Sequence, residues 1–153
     1  MSQRFRGPRH HDETGSAIVE FVWLGLILMV PIVYILLAVF DLQRASYGVS
    51  AASRAAGRAF VLAPDQGSGY ARAQRAAEVA LKDQGIEPGG VAVRISCTPD
   101  PERCLSPGAV ISVAVRTSQP LPFIPSALGG SRPAVTVNGT HTEPYGTFRE
   151  DRS

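Results

Sequence analysis

The sequence predicts an α+β protein. A long N-terminal transmembrane helix continues outward and is followed by a second helix and a small antiparallel sheet of about three strands, with one disulfide across a hairpin. Three observations predict this fold. An uncharged run of 20 residues extends from Phe21 to Phe40, short segments after residue 90 alternate apolar and polar residues, and two cysteines lie close together.

The apolar run has the length of a membrane span. About 20 residues at roughly 1.5 Å each match a hydrocarbon core of about 30 Å. Residues 1–15 are polar and form a predicted cytoplasmic leader. Lys and Arg near a span set its orientation. Arg4, Arg6 and Arg9 lie in the leader, and Arg44, Arg54 and Arg58 on the far side partly offset their bias. We therefore expect a single-pass protein of the cytoplasmic membrane, with its N-terminus inside and its C-terminal domain outside.

A cleaved secretory signal is the main competing interpretation of the apolar run. The apolar core of such a signal has about 7–15 residues and is followed closely by a small-residue cleavage site. Here the run is longer, and Phe40 to Gln43 offers no such site, whereas Ala51-Ala52-Ser53 lies well downstream. The sequence favours an uncleaved apolar helix.

Two helices are predicted on either side of a loop. The alanine-rich segment after Asp41 has a loose helical spacing, so the first helix is expected to occupy residues 16–62. Asp65 to Gly69 is expected to be the loop. Tyr70 to Gln84 then has the pattern of an amphipathic helix, with Gly85 at a position typical of a helix end.

Three strands are predicted in the remainder of the chain, on the basis of period-2 alternation. They are Val91–Cys97, Ala109–Thr117 and a weaker Pro133–His141. Gln119 to Arg132 contains three prolines and is not expected to form a central strand. The small extracytoplasmic domain therefore covers residues 63–142, and residues 143–153 are expected to be a frayed, flexible tail.

The cysteine spacing favours a disulfide between Cys97 and Cys104 across the turn of a hairpin. Such a link stabilises by about 2–3 kcal/mol in the chain-entropy argument and persists only in an oxidising compartment. This agrees with the outward orientation of the domain. Two unpaired buried thiols are the alternative.

Glu20 lies at the edge of the apolar run and needs a physical explanation. A carboxylate inside a bilayer costs about 2.5 kcal/mol or more without a partner. Either Glu20 reaches water at the interface, or it has a functional partner. Gly15 stands directly before Ser16, and Glu20 is the fifth residue counted from Ser16.

The order of a basic leader, Gly15, Ser16 to Phe21 and a long apolar helix resembles the class III signal of type IV pilins and pseudopilins. Small residues further along the helix and a short β-rich tail resemble the TadE-like minor pseudopilins of tight-adherence (Flp-type) pilus systems. This resemblance covers residues 12–62 and is loose beyond. Ser16 departs from the N-methylated phenylalanine of classical type IV pilins.

The resemblance implies cleavage by a prepilin peptidase between Gly15 and Ser16, and assembly through Glu20 and Phe21. It also implies other pilin or pseudopilin subunits and pilus assembly platform proteins as partners. The new amine on Ser16 would be buried when helices pack, and a carboxylate on a neighbouring helix would remove two unpaired charges together. Gly25 and the face from Ala51 to Gly57 are expected to be helix-packing surface, or else to reflect helix propensity alone.

Other function classes find little support in the sequence. A net charge of +2 does not favour nucleic acid as a partner. The residues give no Ser/His/Asp, Cys/His or metal-binding pattern, so neither an enzyme nor a cofactor is expected. Two alternatives remain. One is an uncleaved, signal-anchored membrane protein with a small extracytoplasmic binding domain, and the other is a secreted protein cleaved near residue 53.

Overall fold

The computed structural model describes residues 14–87, 90–120 and 134–153. These residues form α1 (Thr14–Val61), α2 (Gln66–Asp83), β1 (Ala92–Thr98), β2 (Val110–Pro120) and β3 (Ala134–Pro144). The predicted fold class is confirmed: a long apolar helix, a second helix, a three-stranded antiparallel sheet and a Cys97–Cys104 disulfide. The leader up to residue 13 and most of the proline-rich segment, from 121 to 133, lie outside the described residues.

The chain divides into two compact units, Met1–Leu37 and Ala38–Ser153. The boundary falls inside α1, whose helical assignment continues without a break through Pro31. The second unit contains a hydrophobic core.

One face of α1 supplies its share of the core of the second unit. Ala45, Val49, Ala52, Ala56 and Phe60 recur at intervals of three or four residues, which places them on a single side of a helix. Their side chains are at most 1% exposed. They pack in one cluster with the buried residues of α2 and of the sheet, and this cluster holds the helices on one side of the sheet.

The sheet has the order β1-β2-β3, and both pairs of neighbouring strands are antiparallel. Period-2 alternation directs Ile111, Val113 and Val115 of the central strand into the core, as the sequence predicts. One expectation is wrong: Gln119 and Pro120 are the last two residues of this central strand. Pro120 is tolerated there because the ladder ends at its pairing with Ala134.

The second helix begins four residues earlier than predicted, because Asp65 caps it. The Ser68 N–H donates to Asp65 Oδ1 at 2.8 Å, and the Ser68 hydroxyl donates to Asp65 Oδ2 at 2.8 Å. These hydrogen bonds hold the pKa of Asp65 below its usual value. The expected loop therefore contributes the first turn of α2. At the other end the prediction is confirmed, since Gly85 follows the C-cap with a positive φ of 68°.

The final residues pack on the domain, so the expectation of a frayed tail from Glu143 is wrong. Tyr145 is 1% exposed, and its hydroxyl donates to the Glu150 carbonyl at 2.7 Å. Its backbone N–H donates to the Ala109 carbonyl at 2.8 Å. The hydrogen bonding of β3 with β2 thus continues to Tyr145, and the buried ring of this residue fixes the tail to the domain.

Two arginines of the tail bind the end of α1. Arg149 Nη1 donates to the Val61 carbonyl at 3.0 Å, and Arg152 Nη1 donates to the Ala63 carbonyl at 3.3 Å. The last carbonyls of a helix have no partner within the helix, and Arg149 supplies one for Val61, the last residue of α1. Arg152 binds a carbonyl two residues after the helix, so the tail fixes the end of α1 and the turn that follows it.

The backbones of α1 and β3 approach each other closely at Gly139. A Cβ at this position would lie 2.7 Å from the carbonyl carbon and oxygen of Val49 and 3.0 Å from the nitrogen of Ser50. Backbone atoms cannot move aside as a flexible side chain does. Gly57, on the facing helix, has ordinary room, because its nearest neighbour would be His141 Cδ2 at 3.5 Å.

We expect Gly139→Ala and Gly57→Ala to change stability in opposite directions. The first forces the helix and the strand apart and is expected to cost about 1–3 kcal/mol. The second has space for the methyl group and gains about 1 kcal/mol of helix propensity. Thermal unfolding of the full chain in detergent, followed by near-UV circular dichroism, measures both. Equal melting temperatures for the two variants would contradict the close approach.

Candidate functional site

The apolar part of α1 is exposed on all sides within its own unit. Apart from half-buried Tyr34, the large apolar side chains between Ile18 and Leu37 are 44–76% exposed. A helix of a water-soluble domain has a polar face, and this segment has none. It is the one helix of the described residues that is long and apolar enough to cross a membrane. Such a helix is compatible with a single-pass membrane anchor.

The predicted processing and assembly residues lie on the first two turns of this helix. α1 begins at Thr14, so the backbones of Gly15 and Ser16 are in its first turn. Glu20 lies four residues after Ser16, which is about 6 Å along the helix axis. The side chains of Glu20 and Phe21 are exposed, the second at 76%.

Glu20 has no basic partner among residues 17–37, because that part of the sequence contains no Lys, Arg or His. A carboxylate at the edge of an apolar helix is costly if it stays unpaired in hydrocarbon. Its partner must therefore come from water, from the residues before position 17 or from another molecule.

The small residues predicted as a helix-packing surface are divided between two environments. Ala52, Ala56 and Gly57 are buried against the sheet of their own domain, whereas Ala51 is exposed. A Cβ built on Gly25 meets no atom within 4 Å. Most of the Ala51–Gly57 face is thus occupied by the chain itself.

The two predicted disulfide residues are brought together at the end of the β1–β2 hairpin. Cys97 is 3% exposed and Cys104 is 1% exposed, and their Cα atoms are 5.3 Å apart. The Cys104 N–H donates to Gln66 Oε1 at 3.0 Å, which ties the hairpin to the first residue of α2. Asp100 and Glu102 are exposed on the turn between the cysteines.

The other polar contacts of the domain do not form a metal-binding cluster in the described part of the chain. There, no three His, Cys, Asp or Glu side chains lie close enough together to hold a metal ion. His141 Nε2 lies 2.9 Å from Glu143 Oε2 on β3, as an isolated pair beside Gly57.

No family model, curated protein or solved structure matches this chain. Two features of the chain bear on its function: the order of Gly15, Ser16 and Glu20 at the start of an exposed apolar helix, and the disulfide-linked domain.

Two groups of polar residues that the fold brings together were not predicted from the sequence. Gln66 was assigned to a loop, and its contact with Cys104 joins positions 38 residues apart. Arg94 and Arg116 belong to separate predicted strands, and only the pairing register makes them neighbours. Alternation alone could have placed both arginines on the polar face of their strands.

We expect the double variant Cys97→Ser, Cys104→Ser to lose about 2–3 kcal/mol of domain stability, because the hairpin loop is no longer closed in the unfolded chain. Chemical denaturation of the full chain in detergent measures this loss. Adding a reductant should lower the stability of the unmodified chain to the same level and leave the variant unchanged. A reductant effect of equal size in the variant would contradict this account.

Proposed function

We propose that this chain is a pilin-like, TadE-type structural subunit of a tight-adherence or type IV-like pilus or secretion machinery. In this proposal a prepilin peptidase processes it after Gly15, and it assembles through its N-terminal helix. The observation that carries the proposal is the placement of Gly15, Ser16 and Glu20 in the first two turns of an apolar helix exposed on all sides.

Cleavage changes the charge at the head of the helix. Hydrolysis of the Gly15–Ser16 peptide bond adds water and leaves a carboxylate on Gly15 and an amine on Ser16. The amine of a chain terminus has an ordinary pKa near 8, so it carries a positive charge at neutral pH. The mature helix then has a cation at its first residue and an anion one turn later.

The opposite charges at the start of the mature helix favour its pairing with a copy of itself. When apolar helices pack, the Ser16 amine of one subunit and the Glu20 carboxylate of a neighbour displaced along a fibre lie at the same level. Pairing them removes two charges that would otherwise stay unpaired in an apolar bundle, and it sets the register between subunits. Phe21 adds an exposed aromatic surface beside this pair.

The location and the partners follow from this function. The leader is in the cytoplasm, the span is in the cytoplasmic membrane, and the disulfide-linked domain is on the oxidising outer side, either in the membrane or in a pilus. Its partners are the prepilin peptidase, other pilin-like subunits and the assembly platform. The competing proposal is an uncleaved, signal-anchored protein with a binding domain outside, which needs neither the cleavage nor Glu20.

We expect the membrane-bound chain to begin at Ser16 in cells that contain the prepilin peptidase, and at Met1 or Ser2 in cells without it. Intact mass and terminal peptides measure this. Gly15→Leu should abolish processing, because a small residue at this position lets the chain enter the protease cleft. Gly25→Leu is the matched control, since Gly25 has no neighbour within 4 Å and should be processed normally. An intact N-terminus in the presence of the peptidase would contradict the proposal.

We expect Glu20→Gln to leave processing intact and to lower the amount of chain in assembled fibres by about tenfold or more, the effect of losing roughly 1.4 kcal/mol per contact. Glu20→Asp keeps the charge and should retain part of the assembly. Fractionation of sheared fibres from membranes measures both variants. Normal assembly of Glu20→Gln would exclude a role for the carboxylate.

A further inference from the structure

The outer face of the sheet has an unusual charge distribution. Alternation places every second strand residue on this face, opposite the core. Arg94 and Arg116 are its two charged residues within the described strands, and the face contains no Asp or Glu. The other positions are mostly small or hydroxyl-bearing: Ala92, Ser96, Thr98, Ser112, Ala114, Ser118, Thr136, Asn138, Thr140 and Thr142.

The two arginines flank a shallow depression. Ala92 pairs with Arg116 and Arg94 pairs with Ala114, so the two arginines are diagonal neighbours across β1 and β2. The small alanine side chains and Asn138 line the space between them, which has a volume of about 90 Å³ and is partly open to solvent. No carboxylate of the described residues lies within salt-bridge distance of either guanidinium.

The Cα atoms of diagonal neighbours on a sheet are about 7–8 Å apart. Two arginines whose backbones are this close can each bind one of two nearby carboxylates through paired N–H donors. The depression therefore fits a small turn that presents two acidic side chains.

The turn closed by the disulfide presents such a pair. Asp100 and Glu102 are both exposed, and the Glu102 N–H donates to Asp100 Oδ1 at 2.9 Å, so the two residues share one compact turn. Arg103, the basic residue beside them, is already paired with Asp151 of the tail. The turn therefore keeps two acidic side chains without a basic neighbour to neutralise them.

We propose that the Arg94–Arg116 face of one copy of this chain binds the Asp100–Glu102 turn of the next copy. This inference rests on the proposed function and names the contact between the outer domains of neighbouring subunits. The two surfaces are different parts of the molecule, so the contact is head-to-tail. Such a contact leaves one free surface at each end, and it builds a ring where the rotation between copies closes and an open filament where it does not.

The disulfide then has a second role. Exposed ion pairs contribute little singly, because two side chains must be ordered for each pair. A turn whose ends are joined by Cys97–Cys104 holds both carboxylates in place before binding, which lowers that cost.

Zero-length cross-linking tests the contact in the full chain. Lys82 is the only lysine of the sequence, so the variant Arg94→Lys, Arg116→Lys keeps the charge of the face and adds two amines that a carbodiimide can couple to carboxylates. Labelled and unlabelled copies are mixed in phospholipid vesicles. We expect mixed-label peptides that join position 94 or 116 to the segment from 99 to 103. The matched control is Arg54→Lys, Arg75→Lys, which adds two amines on exposed helix surfaces.

Absence of these mixed-label peptides would overturn the proposal. So would coupling of the 99–103 segment to Lys82 or to the control positions at a similar yield, which would indicate random collision. Coupling of positions 94 and 116 only to another protein, in native membranes, would assign the face to a different partner and would also overturn it.

Charge reversal gives a second, independent test. With Arg116→Lys as the reporter amine, Glu102→Arg should lower the cross-link to Asp100 about tenfold, since like charges oppose each other across the contact. Adding Arg94→Glu should restore the cross-link, because the ion pair is rebuilt with its charges exchanged. A loss without restoration would contradict direct pairing.

The state of the N-terminus, read in the same samples, separates this inference from the proposed function. Chains processed at Ser16 that give no cross-link would refute the contact and leave the pilin-like function standing. Cross-links between chains that keep an intact leader, although made in cells that contain the prepilin peptidase, would support the contact and refute the processing.

Discussion

The close approach of α1 and β3 constrains the rest of the domain. At Gly139 the helix and the strand lie backbone against backbone, and this is possible only where both elements present small groups. The small side chains of Ala52 and Ala56 on the facing side of α1 allow the apolar residues of β2 to contact the helix. Phe60, at the end of the same face, packs where Gly69 leaves room, and this contact positions α2. These close contacts at small residues thus place both helices on the same side of the sheet.

The apolar pattern changes within α1 although the helix is continuous. Up to Leu37 the large side chains are apolar in nearly every direction, whereas from Ala45 onward they are apolar on one face only. The first pattern fits a hydrocarbon environment, and the second fits a domain that faces water. A single helix therefore links a membrane-type segment to a domain core without a connecting loop. The tail arginines stabilise that helix at its far end, where its carbonyls have no helical partners.

The sequence predicted the elements whose patterns are local. A long uncharged run, period-2 strands and a glycine after the second helix each depend on neighbouring residues, and the structure agrees with them within a few positions. It did not predict the first turn of α2, because Gly67 and Gly69 lower helix propensity, and the packing of Phe60 against Gly69 is not a local pattern. The packed tail depends on contacts such as Arg149 with Val61, 88 residues apart, which no local pattern encodes. The proposed processing and assembly residues are inferred from their order in the sequence, and their proposed partners are other molecules.

The burial of the small-residue face limits how copies of this chain can assemble. Helices that associate through alanine and glycine need that face to be free, and here Ala52, Ala56 and Gly57 already pack on the sheet. In the proposed assembly, contacts between copies use surfaces that the fold leaves open: the apolar turns around Glu20, and the outer face of the sheet. The first surface would set the register through one buried charge pair, and the second would add exposed pairs that are weak singly. An assembly built in this way is specified mainly by Glu20, because an unpaired carboxylate in hydrocarbon costs more than a lost contact at the solvent-exposed sheet.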